Sequence, residues 1–365
     1  MKIKDLIQFL EQTAPPQYQE AYDNAGLIVG DPNRTIAGVL VCLDTLESII
    51  DEAIVLGCNV VVAHHPIVFK GLKRFNGKNY VERTVIKAIK NDIAIYAIHT
   101  NLDNVYHNGV NGKIAEILGL KNVKILAPKK QILMKLTTFV PKAETQRVLD
   151  ALYATGAGQV GNYKNCSFRT EGVGTFKPTG DANPHIGSLN EDEEVTENRV
   201  EVVFPAYLEH KILTTLKATH PYEEVAYYLH LLENAHQEVG SGMVGDLEND
   251  MPEIDFLNFL KDEMRVGCVK YTALLGRTVK KVAVCGGAGG FLLNNAISAG
   301  ADIFITADYK YHEFFDADNK IVIADIGHYE SEQFTIDLLG NLIQKNFKNM
   351  QVFLTKIITN PVNYL

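Results

Sequence analysis

Short runs of β-branched and aliphatic residues at 39–43, 60–62 and 93–98 alternate with helix-period stretches, one ending near Gly57 and one beginning near Val81. Wholly apolar strands are those buried on both faces, and their alternation with helices is the pattern of an α/β sheet. The same succession returns late in the chain, with runs at 282–285, 303–305 and 321–324, a helix closing at Gly300 and another from about Ser331. The two series superpose: Cys42, Ala53, Gly57 and Asn59 fall on Cys285, Ala296, Gly300 and Asp302, and a shorter offset sets His99 over His328 and Asp103 over Glu332. Each copy therefore carries His-x-x-x-carboxylate just after an apolar strand. Strands of α/β layers point their carboxyl ends at the crevice where ligands bind, so two copies could present polar residues to one shared cleft.

Between the copies the texture changes. Strands are predicted at 133–140, 163–171, 200–204 and 225–231, helices at 144–153 and 208–218, and a long polar loop at 179–198. That succession is β-α-β-β-α-β, the ferredoxin-like order. The expected architecture is thus α/β: two related halves, 1–127 and 236–365, forming one body, with a ferredoxin-like α+β domain inserted at 128–235. The opening MKIKDLIQFLEQ spaces Ile3, Leu6, Ile7 and Leu10 at helical intervals with Asp5 and Glu11 among them, which predicts a domain-opening helix rather than a secretory leader.

Charge and cysteine usage narrow the function classes. With 35 Lys and Arg against 44 Asp and Glu, a net charge of -9 argues against a duplex-binding surface, and the aromatic residues show no spacing of a stacking platform, so nucleic acid is not indicated. Five cysteines without a C-x-x-C pair fit reduced thiols. No apolar run approaches the roughly 20 residues needed to cross a bilayer, so no membrane span and a cytoplasmic location are expected.

The candidate chemistry lies at the predicted strand ends. His64-His65-Pro66 closes the run at 60–63, and adjacent side chains on extended backbone point opposite ways. Both imidazoles can serve one centre only if the backbone bends there, which the proline makes reasonable; otherwise one packs inside and the other meets solvent. His328 and Glu332 stand four apart at the start of a helix, on one face, suited to sharing a metal or to a capping pair. Asp103, in HTNLD, is either a further ligand or a turn aspartate. Together, three His and two carboxylates form a mixed N/O set suited to two zinc, iron, manganese or cobalt ions, with Glu332 as the candidate bridge. ITADYKYH places Asp308, Lys310 and His312 at alternating positions, so that they could lie on one side of the chain and hold a phosphate or orient a water. CGGAGG (285–290) lacks the features of a nucleotide-binding loop and reads as a tight strand-to-helix turn, so no nucleotide cofactor is assigned. HPYEEVAYY, from His220, is a candidate second ligand patch whose glutamates would more simply pair at a surface.

YDNAGLIVGD, VVVAHHPIVF, AIHTNLD, VAVCGGAGG, ITADYKYH and GHYESE together resemble the dinuclear-metal proteins called GTP cyclohydrolase 1 type 2 homologs, the NGG-interacting-factor-three-like family. The likeness runs through both halves, and GNYKNCSF with HPYEEVAYY is similar to the PII-like insert of the longer bacterial members. It implies metal ligation by His64, His65, Asp103, His328 and Glu332, and a homohexamer. Tyr22 stands where the family usually has Trp, expected to be a packing change, and Ala307 replaces the usual Gly before Asp308. The expected function is a dinuclear metal protein, a metal-dependent hydrolase of a nucleotide or phosphate-containing small molecule, with His99, Asp308 and His312 as candidates for orienting ligands or moving a proton. The alternative is a metal-handling or regulatory scaffold without turnover.

Overall fold

The computed structural model describes residues 1–365. The chain forms two compact units, one of Met1–Pro128 with Glu238–Leu365 and the other of Lys129–Gln237. In the first, β1 (Gly26–Val29), β2 (Val39–Cys42), β3 (Val60–Ala63) and β4 (Ala94–Ala97) appear in turn. β2, β3 and β4 are parallel neighbours and β1 pairs antiparallel on β4. Every residue of the three parallel strands is buried, as their unbroken apolar sequences require. Helices Glu47–Val55 and Tyr80–Lys90 make the crossovers. Tyr80–Lys90 is started by Asn79, whose side chain accepts from the Glu82 N–H at 2.9 Å, and ends with Lys87 and Lys90 against the negative end of its dipole. β5 (Lys121–Pro128) then leads out of the first segment.

The second unit holds β6 (Leu133–Pro141), β7 (Phe168–Phe176), β8 (Glu193–Pro205) and β9 (Tyr227–Leu232) in one antiparallel sheet of order β7-β8-β6-β9. Helices Thr145–Ala154 and Glu209–Thr219 bring Val148, Leu149, Leu152, Ile212 and Leu216 against Leu136, Val140, Val200, Val202 and Phe204 of the sheet. Two boundaries differ from expectation. β7 overlaps the strand predicted at 163–171 but is shifted toward the C-terminus by five residues, and β8 begins at Glu193, inside the segment predicted as loop. Residues 193–199, EEVTENR, show no apolar alternation because they pair with β7 in a largely exposed ribbon, where the charged side chains other than the buried Glu197 are solvated.

Back in the first unit, β10 (Gly240–Pro252), β11 (Lys270–Tyr271), β12 (Thr278–Val284), β13 (Ile303–Thr306) and β14 (Val322–Asp325) join β5 in a second sheet, ordered β11-β14-β13-β12-β10-β5, and β15 (Val352–Leu354) returns to pair parallel with β2. β12, β13 and β14 are parallel, and the neighbours outside them are antiparallel. The first sheet thus contains four parallel strands and the second three, each with an antiparallel edge. No helix is long and apolar enough to cross a membrane.

Phe304, fully buried in β13, packs among Ala283, Leu292, Ala296, Ile321 and Ile323. Phe304→Ala is expected to destabilise this unit by about 3–5 kcal/mol, read as a lowered urea midpoint. A loss below about 1 kcal/mol would mean that the cluster is looser than its burial implies.

Candidate metal centre

The carboxyl ends of the parallel strands converge. β3 runs into His64 and His65, β4 into His99 and the short helix Thr100–Asp103, β12 into Cys285-Gly286-Gly287, and β14 through Gly327 into the helix His328–Glu332. The two adjacent imidazoles do not diverge: their ring centroids are 4.9 Å apart, so the backbone has left the extended form at the strand end. His64 Nε2 lies 3.6 Å from Asp103 Oδ1 and 3.8 Å from Glu332 Oε1, while His65 Nε2 and His328 Nε2 lie 2.9 and 3.3 Å from Glu332 Oε2. Glu332 therefore turns one oxygen to each side. Three ligand groups result, His64 with Asp103 and Glu332, His65 with His328 and Glu332, and His64 with His65 and His99, each with its donor atoms within 4.8 Å of one another. These clusters could bind metal ions.

The remaining ring nitrogens explain why the imidazoles face inward. Nδ1 of His64 bonds the Ile98 carbonyl at 2.8 Å, that of His65 bonds Asp44 at 2.8 Å, that of His99 bonds Asp23 at 2.7 Å and that of His328 bonds Asp308 at 2.7 Å. An acceptor at Nδ1 selects the tautomer with the proton there and leaves the Nε2 lone pair aimed into the cluster. Buried His64 Nε2, His65 Nε2, Asp103 Oδ1 and Glu332 Oε2 have no hydrogen-bond partner in the protein. Four orphaned polar atoms in one spot are costly unless a cation completes them, so the residues fit a metal group.

Charge agrees with this fit. Asp23, Asp44, Asp103, Asp308 and Glu332 surround four imidazoles, with Lys270 the one basic chain lining the cavity. Burial by itself would lower His65 and His328, but the carboxylates beside them outweigh it and raise them to about 9 and about 11. Burial pushes His64 down. Burial and then the Glu332 charge push Asp103 well up, whereas the three imidazoles overcome the burial of Glu332 and hold it well below the usual carboxylate range. Protons on His65 and His328 would occupy the place that metal cations would otherwise take.

The glycine run after β12 has a further use besides its turn. Gly287 has φ +64°, and a Cβ on it would lie 2.5 Å from Glu332 Oε1, so the bare backbone makes room for the carboxylate. The centre opens on a cavity of about 770 Å³ whose rim carries Tyr22, Phe69 and Phe291. Tyr22 is 71% exposed, so the expected packing role gives way to a place on this rim. Ala307 is buried and donates its N–H to the Gly287 carbonyl at 3.0 Å.

Of the residues expected at the site, His64, His65, His99, Asp103, Asp308, His328 and Glu332 come together. His312 does not: it is exposed, with its ring against Tyr311 and Phe315, and Lys310 is exposed beside Glu313. Asp308 sits at φ +59°, turning the chain, and Tyr311–Ala317 coils into a 3-10 helix, so the alternation that would align the three is lost. Asp23 and Asp44 escaped sequence reasoning. Their signal was only that an inward-facing imidazole needs an outward acceptor. Asp44 is itself held by the Thr359 hydroxyl at 2.6 Å. Asp44→Ala should free the His65 ring and weaken metal binding about 10–100-fold, measured by chelator competition; unchanged affinity would show that Asp44 does not orient it.

Comparison with known proteins gives a consistent relationship. Residues 1–361 match the family described as Duf34/NIF3 (NGG1p interacting factor 3). The chain is 40% identical to a Bacillus subtilis protein named GTP cyclohydrolase 1 type 2 homolog, over 99% of this chain and 98% of that one. It is similar to the crystal structure of a Bacillus cereus protein related to NIF3, with a TM-score of 0.86 and 35% identity over 100% of this chain and 99% of that one. The Staphylococcus aureus protein SA1388 gives a TM-score of 0.80 at 30% identity, with 100% and 99% covered. By the match of residues 1–361 and by similarity along its whole length, the chain belongs to the Duf34/NIF3 family.

Proposed function

We propose that this protein binds two transition-metal ions through His64, His65, Asp103, His328 and Glu332 and hydrolyses a nucleotide or another phosphate-containing small molecule. The observation that carries the reading is the set of buried, partnerless Nε2 and carboxylate oxygens facing one another. A bound pair of such ions would supply an activated water and Lewis acidity. Glu332 offers an oxygen to each side of the centre, and Asp44, Asp23 and Asp308 fix the imidazoles. The exposed rings of Tyr22, Phe69 and Phe291 on the cavity rim support a substrate with a flat body. The β7-β8-β6-β9 sheet with two helices supports an inserted ferredoxin-like domain of the PII-like kind.

Elemental analysis of protein purified without chelator is expected to find about two transition-metal ions per chain. The same preparation should turn over at least one member of a panel of nucleotides and phosphoesters. Stoichiometric metal without turnover would favour a metal-handling scaffold. No metal, even after reconstitution with zinc, manganese and iron, would remove the basis of the proposal.

A further inference from the structure

The second unit contains a cavity of its own. It is about 720 Å³, within the range of small-molecule sites, and lies over the face of the β7-β8-β6-β9 sheet that carries Phe139, Glu197 and Tyr228. Phe139, Phe176, Tyr222 and Tyr228 wall it, and Pro184 and Ile186 from the polar loop help enclose it. Phe139 meets Tyr228 edge-on at 6.0 Å, and Phe176 lies 5.9 Å from Tyr222, so the walls are rings held against one another.

Among these rings sits a carboxylate. Glu197 is only 7% exposed; its Oε1 accepts the Tyr222 hydroxyl at 2.8 Å, and its Oε2 lies beside Gly174. The strand opposite is cleared for it, because a Cβ on Gly174 would stand 2.2 Å from that Oε2. The HPYEEVAYY segment builds this arrangement: His220 Nε2 donates to the Phe139 carbonyl at 2.9 Å, and its Nδ1 accepts the Tyr222 N–H at 3.1 Å, fixing the tyrosine that holds Glu197.

The surrounding charge selects the sign of a ligand. Lys177 is 2.9 Å from Asp192 and Arg199 is 2.6 Å from Glu201, so both lining cations are matched outside the cavity. Glu197, Glu223 and Glu224 have no cationic partner. We propose that this cavity binds an organic cation with a flat apolar body, its ammonium or amidinium N–H groups donating to Glu197 while its body lies among the four rings. The site is separate from the metal cluster, and its test does not depend on metal chemistry.

The chain has no Trp, so an indole probe can be followed by its own fluorescence. Tryptamine titrated with the full-length protein is expected to bind saturably. Indole-3-acetate, with the same ring and the opposite charge, should bind at least about tenfold more weakly, the value of one charge-assisted hydrogen bond. Glu197→Gln should weaken tryptamine about tenfold and erase the preference between the probes. Tyr222→Phe, which keeps the ring but releases Glu197, should also weaken tryptamine and serves if Glu197→Gln fails to fold. Absence of saturable tryptamine binding, equal binding of both probes, or a preference that survives Glu197→Gln or, failing that variant, Tyr222→Phe, would each overturn the proposal.

Discussion

Glu332→Gln is expected to leave a folded chain that no longer holds stoichiometric metal. The side chain keeps its shape, but one of the two oxygens, which lie 3.8 Å from His64 Nε2 and 2.9 Å from His65 Nε2, becomes a neutral N–H₂ group. An N–H₂ group donates and cannot ligate a cation, and the charge opposing His65 and His328 disappears with it. Metal affinity should fall further than the about 10–100-fold typical of losing an outer hydrogen-bond partner, since the change is at a direct ligand. Elemental analysis beside circular dichroism of the metal-free protein separates lost ligation from lost fold. A variant that retains the full metal complement would show that Glu332 is not shared between the ions.

Gly287→Ala should damage both stability and the centre, and Gly300→Ala isolates one effect from the other. Both glycines have left-handed backbone, φ +64° and +72°. A methyl at Gly300 meets nothing within 4 Å, whereas at Gly287 it would lie 2.5 Å from Glu332 Oε1 and 3.3 Å from His328 Cε1. The strained backbone alone costs about 1 kcal/mol, so Gly300→Ala should lose about that much stability and keep its metal. Gly287→Ala should lose more and also release metal, because Glu332 must move from its place between His64 and His65. Equal metal content in the two variants would mean that the Gly287 loop yields without disturbing the carboxylate.

The sequence revealed the parallel strands for a specific reason. β2, β3, β13 and β14 are buried on both faces, so no polar residue interrupts them except Asp325 and Thr306 at their ends. β10, with Gly240, Gly242, Gly245 and a charged end, gives no such signal, and neither does the acidic start of β8. The direct ligand candidates were legible because each follows a strand end or a helical spacing. Asp23 and Asp44 were not, because an isolated aspartate in a loop looks the same whether it orients an imidazole or meets water. His312 was misplaced because alternation presumes an extended chain, and the left-handed turn at Asp308 ends that condition.

The division of the centre between two distant segments also sets the order in which it can come into being during synthesis. Roughly 225 residues separate Asp103 from His328, a gap that takes about 10 to 45 s to translate at 5–20 residues per second. Throughout that interval a nascent chain carries His64, His65 and Asp103 but neither His328 nor Glu332. On the proposed ligation, an ion captured then would meet an open half-site without Glu332 and could exchange. If the proposed ligation holds, commitment to a particular metal would be deferred until the late segment docks, when the composition of the cell's exchangeable metal pool, rather than the first ion encountered, would decide what is retained.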